Sequence, residues 1–138
     1  MKNLIQSENA DAAVINFLKY LNLDIDSKDV IAELAKHPDY PSLLAVSDVL
    51  NNFNIPNQAF KIEHELLTDM PVPFIAHIRS NGDSLLLINK IESGNIFSST
   101  EKWSHKYQVL SEFLKEFSGI VLIMKRSMIK KSTSILSP

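Results

Sequence analysis

The apolar residues of this chain change their spacing at NIPN, residues 54–57. Before it they recur every three or four positions, the repeat of a helix face. After it they alternate or run in short blocks, as strands do. A chain divided in this way is expected to fold as helices followed by a sheet, an α+β layout. Ala12, Ile15, Leu18 and Leu23, with Val14, Phe17 and Leu21 beside them, mark a helix over roughly residues 8–22. Ser27 reads as the cap of a second helix whose apolar face is Val30, Ile31 and Leu34, and HPDYP (37–41) ends it. Pro41 suits the first position of a third helix, with Leu43, Leu44, Val46, Val49, Leu50 and Phe53 on its face.

Beyond NIPN, QAFKI (58–62) alternates like a strand and EHELLTDM (63–70) reads as one helical turn. Two prolines force PVPFIAHIR (71–79) into an extended segment. SNGD (80–83) is a tight hairpin turn, because Asn-Gly accepts positive φ. SLLLINKI (84–91) runs back as a strand, ESGN (92–95) turns again, and NIFSS (95–99) is a third short strand. EKWSHKY (101–107) reads as a loop, SEFLKEF (111–117) as a short helix and GIVLIMK (119–125) as a buried strand.

At 138 residues the chain suits one domain with a core of its own. The formal net charge of −2 hides an asymmetry. All 16 acids precede residue 125, whereas Lys125, Arg126, Lys130 and Lys131 lie in a final stretch with no acid. An acidic body is a poor match for phosphates, so nucleic acid is not an expected partner. The basic tail at 126–138 suits either a disordered end or the cytosolic flank of a membrane segment. The N-terminus MKNLIQSENADA lacks the apolar core of a signal peptide. No apolar run reaches the ~18 residues of a transmembrane helix, and the expected location is the cytosol.

The chain has no cysteine, which removes disulfides, thiolate–metal sites and any cysteine nucleophile. HPDYPS (37–42) gathers His37, Asp39, Tyr40 and Ser42 in six residues. Catalytic triads assemble from distant segments, however, so this stretch is expected to be a helix–loop–helix corner. The histidines at 37, 64, 77 and 105 have no metal-ligand spacing. His77, inside FIAHI, is expected to be a satisfied core or edge histidine. Phosphate-binding glycine loops and GxSxG elbows are missing, and no cofactor is implied. Trp103 and Tyr107 suit either a ligand shelf or an anchor that holds their loop on the sheet.

Four stretches carry a family resemblance across nearly the whole chain. YLNLDIDSKDVIAEL (20–34) and YPSLLAVSDVLNNFNIPNQAFKI (40–62) form the helical part of the match. LLTDMPVPFIAHIRSNGDSLLLINKI (66–91) and FLKEFSGIVLIMK (113–125) form the sheet part. Together they resemble the bacteriocin-processing, double-glycine-cleaving cysteine peptidases found at the N-terminus of many peptide-exporting ABC transporters. The resemblance implies a papain-like α+β fold over residues 1–125, with N-terminal helices packed on a small antiparallel sheet.

Cleaving members use a cysteine at the start of the first helix, a histidine opening a strand and an aspartate ending the next strand. Counting back from the shared Ile25, the cysteine position falls at Asn9. The histidine position falls at Ser84, with Asp83 just before it, and the aspartate position at Ser99 and Thr100. Gln6 lies near the family's oxyanion glutamine but at the wrong distance, and it is not assigned that role. Asn, Ser and Thr supply neither a stable thiolate nor a base near neutral pH. The resemblance therefore implies a domain that has lost its catalytic residues.

Cysteine-free relatives of this kind occur in toxin exporters. Others are fused to a vitamin K epoxide reductase-like membrane region and a thioredoxin-like module in Bacteroidetes-type bacteria. The implied function is a non-catalytic binding module for a substrate or leader polypeptide of a membrane transporter or oxidoreductase, at the inner face of the bacterial membrane. A peptide would cross the relic cleft near Asn9, Asp83, Ser84 and Ser99, with Trp103 and Tyr107 as aromatic contacts. Two alternatives stay open: a peptidase using another residue, such as Ser84 or His105, and a structural or dimerising domain.

Overall fold

A computed structural model describes residues 7–79, 83–99 and 106–124, with the side chains of residues 7–9 and 106 left aside. Three helices come first: α1 (Ser7–Leu21), α2 (Ser27–Lys36) and α3 (Leu43–Asn52). Six strands follow: β1 (Asn57–Lys61), β2 (Phe74–Ile78), β3 (Ser84–Glu92), β4 (Asn95–Ser99), β5 (Lys106–Val109) and β6 (Phe117–Met124). A 3-10 turn (His64–Asp69) lies between β1 and β2, and α4 (Leu110–Glu116) between β5 and β6. The strands form one sheet in the order β1-β6-β2-β3-β4-β5, and every neighbouring pair is antiparallel. This is the expected α+β arrangement. Among the described residues no helix is long and apolar enough to cross a membrane.

Both faces of the sheet are covered, and strand alternation divides the core accordingly. Ile75, Leu85, Leu87 and Leu122 face α1–α3, where they meet Phe17, Leu18, Val30, Leu34, Val46 and Leu50. Their strand neighbours Phe74, Ala76, Ile88 and Val121 face the other way, onto Leu67, Phe113 and Phe117. Phe17, Leu34, Leu50, Phe74 and Phe113 are among the largest fully enclosed side chains, so each layer has its own anchors.

The helix ends show how short-range chemistry set the boundaries. Asp26, not Ser27, caps α2, and its carboxylate accepts the Lys28 N–H at 2.9 Å. Ser27 is the first helical residue, because an N-cap must have extended backbone and Asp26 has it. Likewise Ser42, not Pro41, marks the start of α3: its hydroxyl accepts the Ala45 N–H at 3.1 Å. Asn22 and Asn54 follow α1 and α3 with φ of 55° and 61°. There Ile55 N–H closes the end of α3 on the Leu50 carbonyl at 2.9 Å. The β3–β4 turn carries positive φ at Ser93 and Gly94, the pairing a tight hairpin requires.

One strand was not foreseen. The end of the EKWSHKY segment opens β5, and Tyr107 pairs with Phe97 of β4. At four residues, KYQV, the strand carries only Tyr107 and Val109 in alternation, too short a run for periodicity to find.

Candidate functional site

The HPDYPS corner is held together by its own polar groups. Nδ1 of His37 accepts the Asp39 N–H at 2.9 Å, so in the neutral ring Nε2 carries the proton and donates to the Asp48 carboxylate at 2.9 Å. The Tyr40 hydroxyl donates to Asp11 at 2.8 Å and ties the corner to α1. The Ser42 hydroxyl is spent on the helix cap. His37, Asp39 and Ser42 thus fix the α2–α3 connection and do not converge on one reacting point.

The three positions expected from the resemblance lie at element ends. Asn9 falls in the first turn of α1. Ser84 opens β3 and Ser99 closes β4. Register places Leu87 opposite Ser99, so Ser84 and Ser99 are offset by three residues along the sheet, about 10 Å at strand rise. They also differ in face. Ser84 pairs with Ile78 and alternates with Leu85, which turns it to the α4 side. Ser99, opposite Leu87, is on the α1 side, where the amide of the buried Asn89 donates to its hydroxyl at 2.9 Å. Trp103, Thr100 and His105 lie outside the described residues, as does the Asn9 side chain.

Sequence reasoning passed over a histidine–carboxylate pair on that same α1 side. His77 pairs with Leu85 across β2–β3, and its Nε2 lies 3.7 Å from the Asp83 carboxylate. The distance is an ion-pair approach and longer than a hydrogen bond. Among the described residues its buried Nδ1 has no partner, so there His77 is not the fully satisfied histidine expected. The pair has an acceptor and a base but no cysteine to activate. Its only sequence signal was the spacing of His77 and Asp83 across a hairpin turn.

Farther along the sheet, β4 and β5 carry an aromatic surface. Phe97 and Tyr107 stack with centroids 5.8 Å apart, and the Lys90 ammonium sits 5.3 Å above the Phe97 ring. Tyr107 is 62% exposed, and Val109, two residues along the same edge strand, is 51% exposed. Tyr20 at the end of α1 is also exposed, and its hydroxyl reaches the Asn89 carbonyl at 3.4 Å. The Tyr107 ring is thus exposed on one side and stacked on Phe97 on the other. No group of His, Asp or Glu among the described residues could hold a metal ion.

The fold matches solved peptidase domains of exporters. A double-glycine-motif protease from an AMS/PCAT transporter, solved with its leader peptide, superposes with a TM-score of 0.74 at 18% identity, covering 90% of this chain and 88% of that one. The peptidase domain of Streptococcus ComA, a bifunctional ABC transporter in quorum sensing, gives 0.72 at 11% identity, with 88% and 95% covered. The N-terminal peptidase C39-like domain of a toxin secretion ATP-binding protein from Vibrio parahaemolyticus gives 0.68 at 13% identity, with 88% and 98% covered. No curated protein sequence matches the chain. The sequence model of the peptidase C39 family matches residues 3–128. A match over nearly the whole length, on a sheet and helix order that superposes on exporter peptidase domains, decides the matter: this cysteine-free chain belongs to the peptidase C39 family.

Proposed function

We propose that this domain binds a polypeptide without cleaving it, and so presents a substrate or leader segment to a membrane transporter or oxidoreductase at the inner face of a bacterial membrane. The observation that carries this reading is a complete peptidase scaffold in a chain with no cysteine. The resemblance assigns the family's catalytic groups to Asn9, Ser84 and Ser99, and of these Ser84 and Ser99 face opposite sides of the sheet, so the two do not meet at one point. A serine nucleophile at Ser84 would need a neighbouring base, and His77 lies on the other face. What is left on the α1 side is binding surface: Asp83 beside His77, and the Phe97–Tyr107 stack on an edge strand.

An extended peptide suits this surface. Among the described residues no strand pairs with the outer edge of β5, and Tyr107 and Val109 project at the two-residue spacing that alternate peptide side chains would meet. The 126–138 tail, with Arg126, Lys130 and Lys131, suits a junction with a membrane region. The leader peptide bound to the AMS/PCAT protease supports a polypeptide as the ligand class.

NMR titration of the full chain with double-glycine leader peptides tests the reading. Shifts are expected at Tyr107, Val109 and Asp83, with the peptide intact by mass spectrometry after prolonged incubation. Tyr107→Ala should weaken binding while leaving the melting temperature unchanged. Cleavage of the peptide, abolished by Ser84→Ala, would refute the non-catalytic reading. Shifts confined to the α2–α3 corner would refute the placement.

A further inference from the structure

A second surface lies away from that stack, where β1 leaves the sheet. A groove of about 680 Å³ is formed between the end of β1, the start of the 3-10 turn and the first residues of β6. Phe60, Ile62 and Leu66 give it an apolar lining. Phe60 and Ile62 border the core on the α4 side, while Leu66 stands 47% exposed at the mouth. Gly119 leaves the floor open: its φ is +98°, and an added Cβ would come to 3.4 Å from the Ile62 carbonyl. The Ile62 N–H donates to the Gly119 carbonyl at 2.7 Å, which fixes the groove's base.

The rim is acidic. Glu63 and Glu65 line the groove and Asp69 ends the same turn, against one cation, Lys61. Among the described residues none of these acids takes part in an ion pair. Exposed carboxylates beside an exposed leucine form a pattern that a segment with apolar knobs and a basic flank would complement in both respects. The corner is also rigid, because Leu67 is fully buried and His64 packs at 5.1 Å on Phe117. A partner would meet a preformed surface.

We infer that this groove docks an amphipathic partner segment in trans, with apolar side chains seated over Phe60, Ile62 and Leu66 and lysines or arginines facing Glu63 and Glu65. It is separate from the β5 surface and does not depend on the reading given for it. The probe is a synthetic Leu/Lys amphipathic peptide titrated into the isotope-labelled full chain. Two controls accompany it, one with every Lys replaced by Glu and one with every Leu replaced by Ser. Amide shifts are expected at Ile62, Leu66 and Gly119 with the Leu/Lys peptide alone. The paired substitution Glu63→Lys and Glu65→Lys should weaken binding about tenfold or more, as should Leu66→Asp, whereas Tyr107→Ala should leave it unchanged. These three groove positions are exposed, so the variants keep the fold, and a matching melting curve checks it. Equal binding of the Glu peptide, indifference to the charge reversal, or shifts centred on β5 would each overturn the proposal.

Discussion

Asn57 is a test of how α3 hands the chain to the sheet. It opens β1, is 6% exposed, and sits opposite Met124 at the far end of β6. Its amide nitrogen donates to the Ser47 carbonyl at 3.2 Å, the Asn51 side-chain oxygen at 3.2 Å and the Ile55 carbonyl at 2.9 Å. Its side-chain oxygen accepts the Ser47 hydroxyl at 2.6 Å. Asn57→Leu keeps the branched skeleton and removes all four interactions. Each is worth about 1 kcal/mol net, and Asn51 lies at an exposed position where water replaces its partner. The expected loss is then about 2–4 kcal/mol, a large part of the ~5–15 kcal/mol that holds a domain together. For a chain of this size it corresponds to a fall of roughly 8–15 °C in melting temperature. Urea unfolding followed by far-UV circular dichroism measures it, with Gln58→Ala on the exposed neighbouring position as a control within about 0.5 kcal/mol. A change in Asn57→Leu as small as the control's would show that packing of Ile55 and Leu50, and not the amide, fixes the α3–β1 junction.

Three further outcomes follow from the same geometry. Ser42→Ala removes the α3 cap and should cost about 1 kcal/mol by chemical denaturation, whereas Ser42→Gly should cost only a few tenths. Leu34→Ala empties a fully buried site where α2 packs among the helices, and about 2–5 kcal/mol should be lost by the same assay. Asn89 is buried with its side-chain oxygen unpartnered, so Asn89→Leu should fall within about 1 kcal/mol of the parent. Asn89→Asp, which buries a charge, should be markedly destabilised, and parity between the two variants would refute the assigned burial.

The helical half was legible because its faces are broad. Phe17, Leu18, Val30, Leu34, Val46 and Leu50 all fell on the apolar stripes that periodicity marks, and all are buried. Boundaries failed where one residue's backbone decided the matter. Asp26 and Ser27 are both good caps by type, and only the extended φ and ψ of Asp26 separates them. β5 escaped because its alternation, Tyr107 and Val109, is confined to four residues and sets no period of its own. The site was less legible than the fold. A resemblance places residues along the chain, but the face of a strand on which each lands changes with a one-residue step. Ser84 and Asp83 are neighbours in sequence, and only Asp83 has its side chain beside His77.

The positions that the resemblance assigns to the family's catalytic groups lie where the core does not depend on them. Asn9 is in the first turn of α1, Ser84 is the first residue of β3 and Ser99 the last of β4. The core does not rest on these ends. It is carried by Phe17 in the middle of α1, by Leu85, Leu87 and Ile88 in the body of β3, and by Ile96 in β4. A catalytic group at such an end can change with little loss of buried apolar area, which is the main source of folding energy. The converse holds for the polar groups that were kept. Asn89 and Ser99 are joined beneath the surface, and Phe97 and Tyr107 are stacked above it, so the sheet beyond α1 is held to a fixed shape. Preorganised surface of that kind serves recognition as well as it serves cleavage, because the entropy of ordering the site is already spent in folding. Under the proposed function, a scaffold without the family's cysteine keeps a preformed face that a polypeptide could meet.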